Sequence, residues 1–140
     1  MRKTSQRNQF EALNHVLEVE CLPALKMLVE ICKKEEKIVK KIKNNPSVGK
    51  NLGSVITLKR ALVCLLCIRI TNIFQDKQGI SFLDLGKNIP QDKIIKKMIR
   101  TRHTWFAHIG KETNDIVSGK EIVESDLENQ LKNLSKLLLY

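Results

Sequence analysis

Several kinds of chemistry are missing from this chain of 140 residues. Gly49 and Gly53 have no preceding strand and no lysine–serine ending, so there is no phosphate-cradling glycine loop of the nucleotide-binding types. No serine or cysteine nucleophile signature is present. The four cysteines include Cys64-x-x-Cys67, but that pair lies in the most apolar stretch, with no second pair and no histidine at ligand spacing. Zinc sites need such a second half, so Cys21, Cys32, Cys64 and Cys67 read as reduced core residues. His103 and His108 are five apart, and a straight helix cannot point both at one metal. No metal and no cofactor are therefore expected. With six Gly, three Pro and no low-complexity tract, the chain has neither a flexible linker nor a disordered composition. One domain covering residues 1–140 is expected. The N-terminal Met1-Arg2-Lys3-Thr4-Ser5 is polar, and the longest apolar run, residues 61–68, is too short to span a bilayer. The expectation is a cytoplasmic protein with no membrane partner.

Positive charge is what the chain has in excess. Its formal net charge is +10, and the distribution is uneven: 22 Lys and Arg stand against 9 Asp and Glu in residues 1–111, but 3 against 6 in residues 112–140. A basic body of this kind favours polyanions, nucleic acid first, by phosphate neutralisation and steering. It is also compatible with a solvated basic surface, which is the simpler account of Lys33, Lys34, Lys37, Lys40, Lys41 and Lys43 beside Glu35 and Glu36.

Apolar residues recur at helical spacing throughout. Leu13, Val16, Leu17, Leu25, Leu28, Val29, Ile38 and Ile42 make residues 6–43 helical, with Pro23 forcing either an end near Cys21 or a kink there and standing in the first turn of the second helix. Asn44-Asn45-Pro46 ends that segment, and a loop is expected through residues 47–53. Residues 54–77 are apolar on most sides and predict a central core helix. Pro90 is placed to open a basic helix and Gly110 to close it. Residues 111–124 are indeterminate, a loop or a small hairpin around Ser118-Gly119. Ser125-Asp126-Leu127-Glu128 reads as a capping box ahead of a last helix carrying Leu127, Leu131, Leu134, Leu137 and Leu138. The expected fold class is all-α, an up-and-down bundle of four to five helices.

The most informative segment is residues 100–110, which holds the only Trp and two of the three His. Ile95, Met98, Ile99, Phe106 and Ile109 share one helical stripe, and Arg102 projects to its centre. Lys93, Lys96, Lys97 and Arg100 fall on the opposite side. A guanidinium on an apolar stripe needs an acid, a subunit groove or an anionic ligand. Asp76 or Asp84 could supply the acid, with His108 capping the helix C-terminus; Arg69, on a stripe with Leu62, Leu65, Leu66 and Ile73, is either a second buried cation or a snorkelling one. An arginine for a phosphate and a histidine that titrates near neutrality are equally the groups needed to cleave RNA without metal.

The run Arg102-His103-Thr104-Trp105-Phe106-Ala107-His108 resembles the signature of HEPN domains, in which an arginine and a polar residue precede a histidine after four to six intervening residues. Here five intervene and the polar residue is His103. The following Ile109-Gly110-Lys111, and upstream Ile68 to Asp76 with Ile80 to Leu85, are similar to the corresponding parts of abortive-infection-type HEPN proteins, so the resemblance covers roughly residues 55–112. It implies a homodimer with Arg102 and His108 of both protomers in one composite cleft. It further implies a metal-independent endoribonuclease of a toxin–antitoxin or phage-defence system, with RNA as substrate and a nucleotidyltransferase-like antitoxin as cognate partner. Arg102, His108 and His103 would be catalytic, with Arg69, Arg100 and Lys97 binding substrate. No acidic residue that would orient His108 is identifiable. The alternative is a non-catalytic HEPN-like module that binds nucleotide, nucleic acid or a protein partner, in which Arg102 is structural.

Overall fold

The computed structural model describes residues 11–75, 93–107 and 116–138, and every regular element among them is helical. Among them, α-helical residues 11–15 run into a π-helical turn at Val16–Cys21, and α1 (Leu22–Ile42), a 3-10 turn at Pro46–Asn51, α2 (Leu52–Gln75), α3 (Lys93–Ala107), α4 (Gly119–Glu124) and α5 (Leu127–Leu138) follow. The all-helical expectation therefore holds for what is described. Pro90, His108 and Gly110 lie outside the described residues, as do the acids Asp76 and Asp84.

As expected, the helix is irregular up to Cys21 and Pro23 sits in the first turn of the helix that follows, α1: the chain preceding it widens into the π turn, where Leu22 N–H donates to Leu17 O, five residues back. The sequence gives a reason for the widening. Leu13, Leu17, Cys21 and Leu25 are all buried, yet a four-residue step drifts about 40° round a regular α-helix. The wider turn takes up that drift and keeps the row facing the core. At the other end of α1, Asn44 and Asn45 N–H groups both bond to Lys41 O, at 3.1 and 2.8 Å. The Asn45 side chain accepts from Ser47 N and caps the 3-10 turn, with Pro46 in its first positions. The stretch expected as a loop is thus a capped turn running into α2 without interruption.

The core is built where α1, α2 and α3 pack together, with α4 and α5 closing one side. Leu25 and Leu28 of α1, Leu66, Ile70 and Ile73 of α2, Ile95 and Met98 of α3, Ile122 of α4, and Leu127 and Leu131 of α5 form one cluster. Thr101 of α3 is fully buried; its Oγ1 donates to Lys97 O at 2.8 Å and accepts from Val117 N at 2.8 Å. That second bond pins the segment ahead of α4 onto α3. Ser135 of α5, also buried, places Oγ 2.7 Å from Asn14 Oδ1 and 2.8 Å from Glu18 Oε1, tying the last helix to the first.

Two local expectations change. Ser118-Gly119 begins a helix, not a hairpin, because Ser118 Oγ accepts from Glu121 N at 3.1 Å and caps α4. Ser125 Oγ does accept from Leu127 N, at 3.3 Å, but Glu128 does not reach back; its carboxylate pairs forward with Lys132 at 3.2 Å. The central core helix expected over residues 54–77 is α2, which buries Val55, Leu62, Val63, Leu66, Cys67, Ile70, Ile73 and Phe74 and leaves one face, with Leu58, Ala61 and Leu65, exposed. By length and composition the stretch Gly49–Phe74 is apolar enough to cross a membrane, a test that core helices of soluble proteins also pass.

Candidate polyanion-binding site on α3

Helix α3 contains five cations and no acid: Lys93, Lys96, Lys97, Arg100 and Arg102. Ile94, Ile95, Met98, Ile99 and Thr101 are its buried positions, while Lys93, Lys96, Arg100 and His103 are exposed. Arg102 follows Ile95 and Ile99 on the buried side and is half-buried. Its Nε is shut away from solvent with no hydrogen-bond partner, and among the described residues no acid pairs with it. An enclosed donor without a partner is costly, and an oxyanion is the acceptor best suited to a guanidinium.

The residues singled out from the sequence do not all gather in one place. Lys97 and Arg100 line a groove of about 750 Å³ together with Lys93, Lys96 and Ile94 of α3. Its facing wall is acidic and comes from α4 and the α4–α5 junction: Glu121, Glu124, Ser125 and Asp126. Lys97 Nζ closes on Glu121 Oε2 at 2.6 Å across the groove. The hydrogen bond from Lys97, against an opposing effect of burial, holds the Glu121 carboxyl below its usual range. Arg102 and His103 are not part of this lining. Arg69, on α2, gives its Nη2 to Glu20 Oε1 at 3.0 Å, so that it is held by a carboxylate, although its Nε is likewise enclosed without a partner. His103 is exposed at the end of the α3 ridge, and His108 falls outside the described residues.

The acidic wall is what sequence reading overlooked. Ser118-x-x-Glu121 is a helix-start pattern of the same kind as Ser125-x-x-Glu128, and it would have placed Glu121 and Glu124 on one short helix. That Glu121 then meets Lys97, 24 positions away, is a tertiary fact with no local signal.

The cysteines offer little chemistry at neutral pH. All four are free; burial pushes the Cys21 and Cys67 thiols up to about 12 and raises Cys32 and Cys64 as well. Among the described residues no three His, Cys, Asp or Glu side chains gather as a metal-binding group. The lysines of the C-terminal half of α1 are exposed, and Glu35 beside them is taken by Lys59 at 2.7 Å. Compared with protein-family models, with curated proteins and with solved structures, the chain matches none.

Proposed function

We propose that this protein is a metal-independent endoribonuclease of the HEPN type, acting in a toxin–antitoxin or phage-defence system, with Arg102 as its phosphate ligand. The observation that carries the reading is the enclosed, unpartnered Nε of Arg102 on the buried side of an acid-free helix. Anionic oxygen is what that donor lacks, and the exposed Lys96 and Arg100 on the same helix raise the local concentration of polyanion.

The chemistry needs two proton movements and one charge to be stabilised. The RNA 2′-oxygen attacks the adjacent phosphorus, its proton passing to a base; the 5′-oxygen leaves and takes up a proton. The transferred phosphoryl group ends as a cyclic 2′,3′-phosphate. His108, assigned by the resemblance, handles these protons, since imidazole both accepts and donates near neutrality. Arg102 neutralises the charge that builds on the non-bridging oxygens. His103, next to Arg102 and exposed, orients the strand at the site. A second protomer supplies the same groups across a two-fold axis. Of the substrate-binding residues, Arg100 remains exposed for a phosphate, whereas Lys97 and Arg69 are engaged by Glu121 and Glu20.

The test is cleavage of single-stranded RNA in EDTA by the purified protein, alongside Arg102→Ala and His108→Ala. Activity that disappears in both variants while their circular dichroism is unchanged supports the enzyme. An inert wild type that still binds RNA supports the non-catalytic module instead, and cleavage indifferent to both substitutions defeats the assignment of these residues.

A further inference from the structure

The groove between α3 and the α4–α5 junction presents opposite charges from its two sides. On the α3 side, Lys96 and Arg100 are exposed and lie about 6 Å apart along the helix axis. On the other side the three acids are not equivalent. Glu121 is taken by Lys97 at 2.6 Å, and Asp126 Oδ1 accepts from Asn129 Nδ2 at 2.8 Å. Glu124 meets Lys120 at 3.9 Å, with both side chains largely exposed. Ile94 adds an apolar patch to the lining. A plain polyanion uses only half of this groove, because phosphates held by Lys96 and Arg100 would face the Glu124 carboxylate across it. A ligand that uses both sides carries an anion at one end, N–H donors at the other and an apolar body between.

We infer that this groove selects a guanine nucleotide of a single RNA strand, its phosphate on Lys96 and Arg100 and its base edge on Glu124. The bases differ in what they offer a carboxylate. Guanine presents its ring N–H and its amino group side by side, two parallel donors for the two oxygens. Uracil presents one N–H between two carbonyls. Adenine and cytosine each set an amino group beside an unprotonated ring nitrogen, whose lone pair opposes the second oxygen. Guanine alone therefore engages Glu124 through both oxygens. In a duplex that edge is covered by the paired base, so the groove reads a single strand. The frame holds Glu124 in place: it belongs to the same short helix as Glu121, and the pair with Lys97 fastens that helix to α3. The groove also lies on the path to Arg102. Lys96, Arg100 and His103 are successive exposed residues along α3 at steps of four and three, and Arg102 adjoins His103. At about 750 Å³ the groove has room for a nucleotide.

Glu124 is thereby a specificity residue, a role that rests on the reading that RNA follows α3 but is not needed for the chemistry at Arg102. The test uses 2′-O-methyl oligonucleotides, which lack the attacking hydroxyl, so that recognition is measured without cleavage. At one fixed salt concentration, a short uridine strand with a single central guanine is expected to bind the full chain about 10-fold more tightly than the all-uridine strand, the scale of a bidentate base contact. Adenine or cytosine at the same place is expected to gain less. Glu124→Gln is expected to erase the preference from both sides, weakening the guanine strand and tightening the all-uridine strand, because one carboxylate no longer faces the phosphates. Lys96→Ala is expected to weaken all strands alike. Circular dichroism checks that each variant is folded, and Glu124 and Lys96 are both exposed. Equal binding of the strands, a preference for adenine or cytosine, a guanine preference that survives Glu124→Gln, or an equal loss for every strand in that variant would each overturn the inference. A protein that binds none of the strands overturns it together with the RNA reading, whereas one that cleaves RNA and binds the strands equally overturns this inference alone.

Discussion

Arg69 and Arg102 stand on helices that pack against each other, and each encloses its Nε without a hydrogen-bond partner. They differ in what meets the rest of the guanidinium. Arg69 gives Nη2 to Glu20, drawn from the π turn 49 residues away, and so joins two parts of the bundle. Arg102 has no such acid among the described residues and belongs to a helix with no acid of its own. The same side chain thus serves as a tie in one place and remains an open donor in the other. The contrast argues that an arginine on an apolar stripe is informative only once its carboxylate has been sought.

The sharpest way to break this comparison is to delete each guanidinium and read both activity and stability. Arg102→Ala is expected to lower RNA cleavage by about 10²-fold or more, as loss of a charge-stabilising donor does, while leaving the urea midpoint nearly unchanged. Arg69→Ala is expected to do the reverse in kind, a loss of at most about 1 kcal/mol because both partners are about a third exposed. If Arg102→Ala unfolds the protein, its guanidinium is structural and the distinction collapses. Next in size is the support of α3 itself. Thr101→Val keeps the shape but leaves the buried Val117 N–H without an acceptor, an expected cost of about 1–3 kcal/mol by denaturant unfolding. Ser118→Ala, which removes the cap of α4 and loosens the acidic wall, is expected to cost about 1 kcal/mol.

The smallest effect is a pH dependence. The Glu121 carboxyl is held below its ordinary value of 4.5, chiefly by the hydrogen bond from Lys97. Its folded value being the lower one, the stabilisation is full above the ordinary value and fades as pH falls through the folded one. Glu121→Gln should flatten that part of the acid limb of stability while shifting the neutral plateau little. An acid limb identical in both proteins would show that Lys97 and Glu121 do not hold each other in solution.

Much of the framework was legible because local chemistry decides it. Pro23 marked the irregular turn, Asn45 and Pro46 marked the stop after α1, and the spacing of Ile95, Met98 and Ile99 placed Arg102 on the buried side of α3. What escaped depends on partners remote in sequence. Helix α4 is six residues long, too short for periodicity to speak. It is held by Ser118, by the bond from Val117 to Thr101, and by Gly119 set so close to Leu28 and Lys59 that an added Cβ would lie 3.2 to 3.3 Å from them. Likewise, the apolarity of residues 54–77 reads the same whether a face meets the core of its own chain or is left uncovered. Of the site, the cationic ridge could be read from spacing, whereas the ion pairs that engage Lys97 and Arg69 could not.

The π turn at Val16–Cys21 makes this a stretch of helix in which the count of residues is forgiving. In a regular α-helix a single deletion rotates everything before it by about 100°; here the loss of one residue lets the wide turn tighten to an ordinary one, and the two changes nearly cancel. Leu13 would then drift only about 20° from Leu25, so that it and Leu17 keep facing the core and Asn14 and Glu18 stay beside Ser135. A tally of tolerated single-residue deletions along the helices should therefore rise between residues 16 and 21 and fall in the middle of α1 and α2.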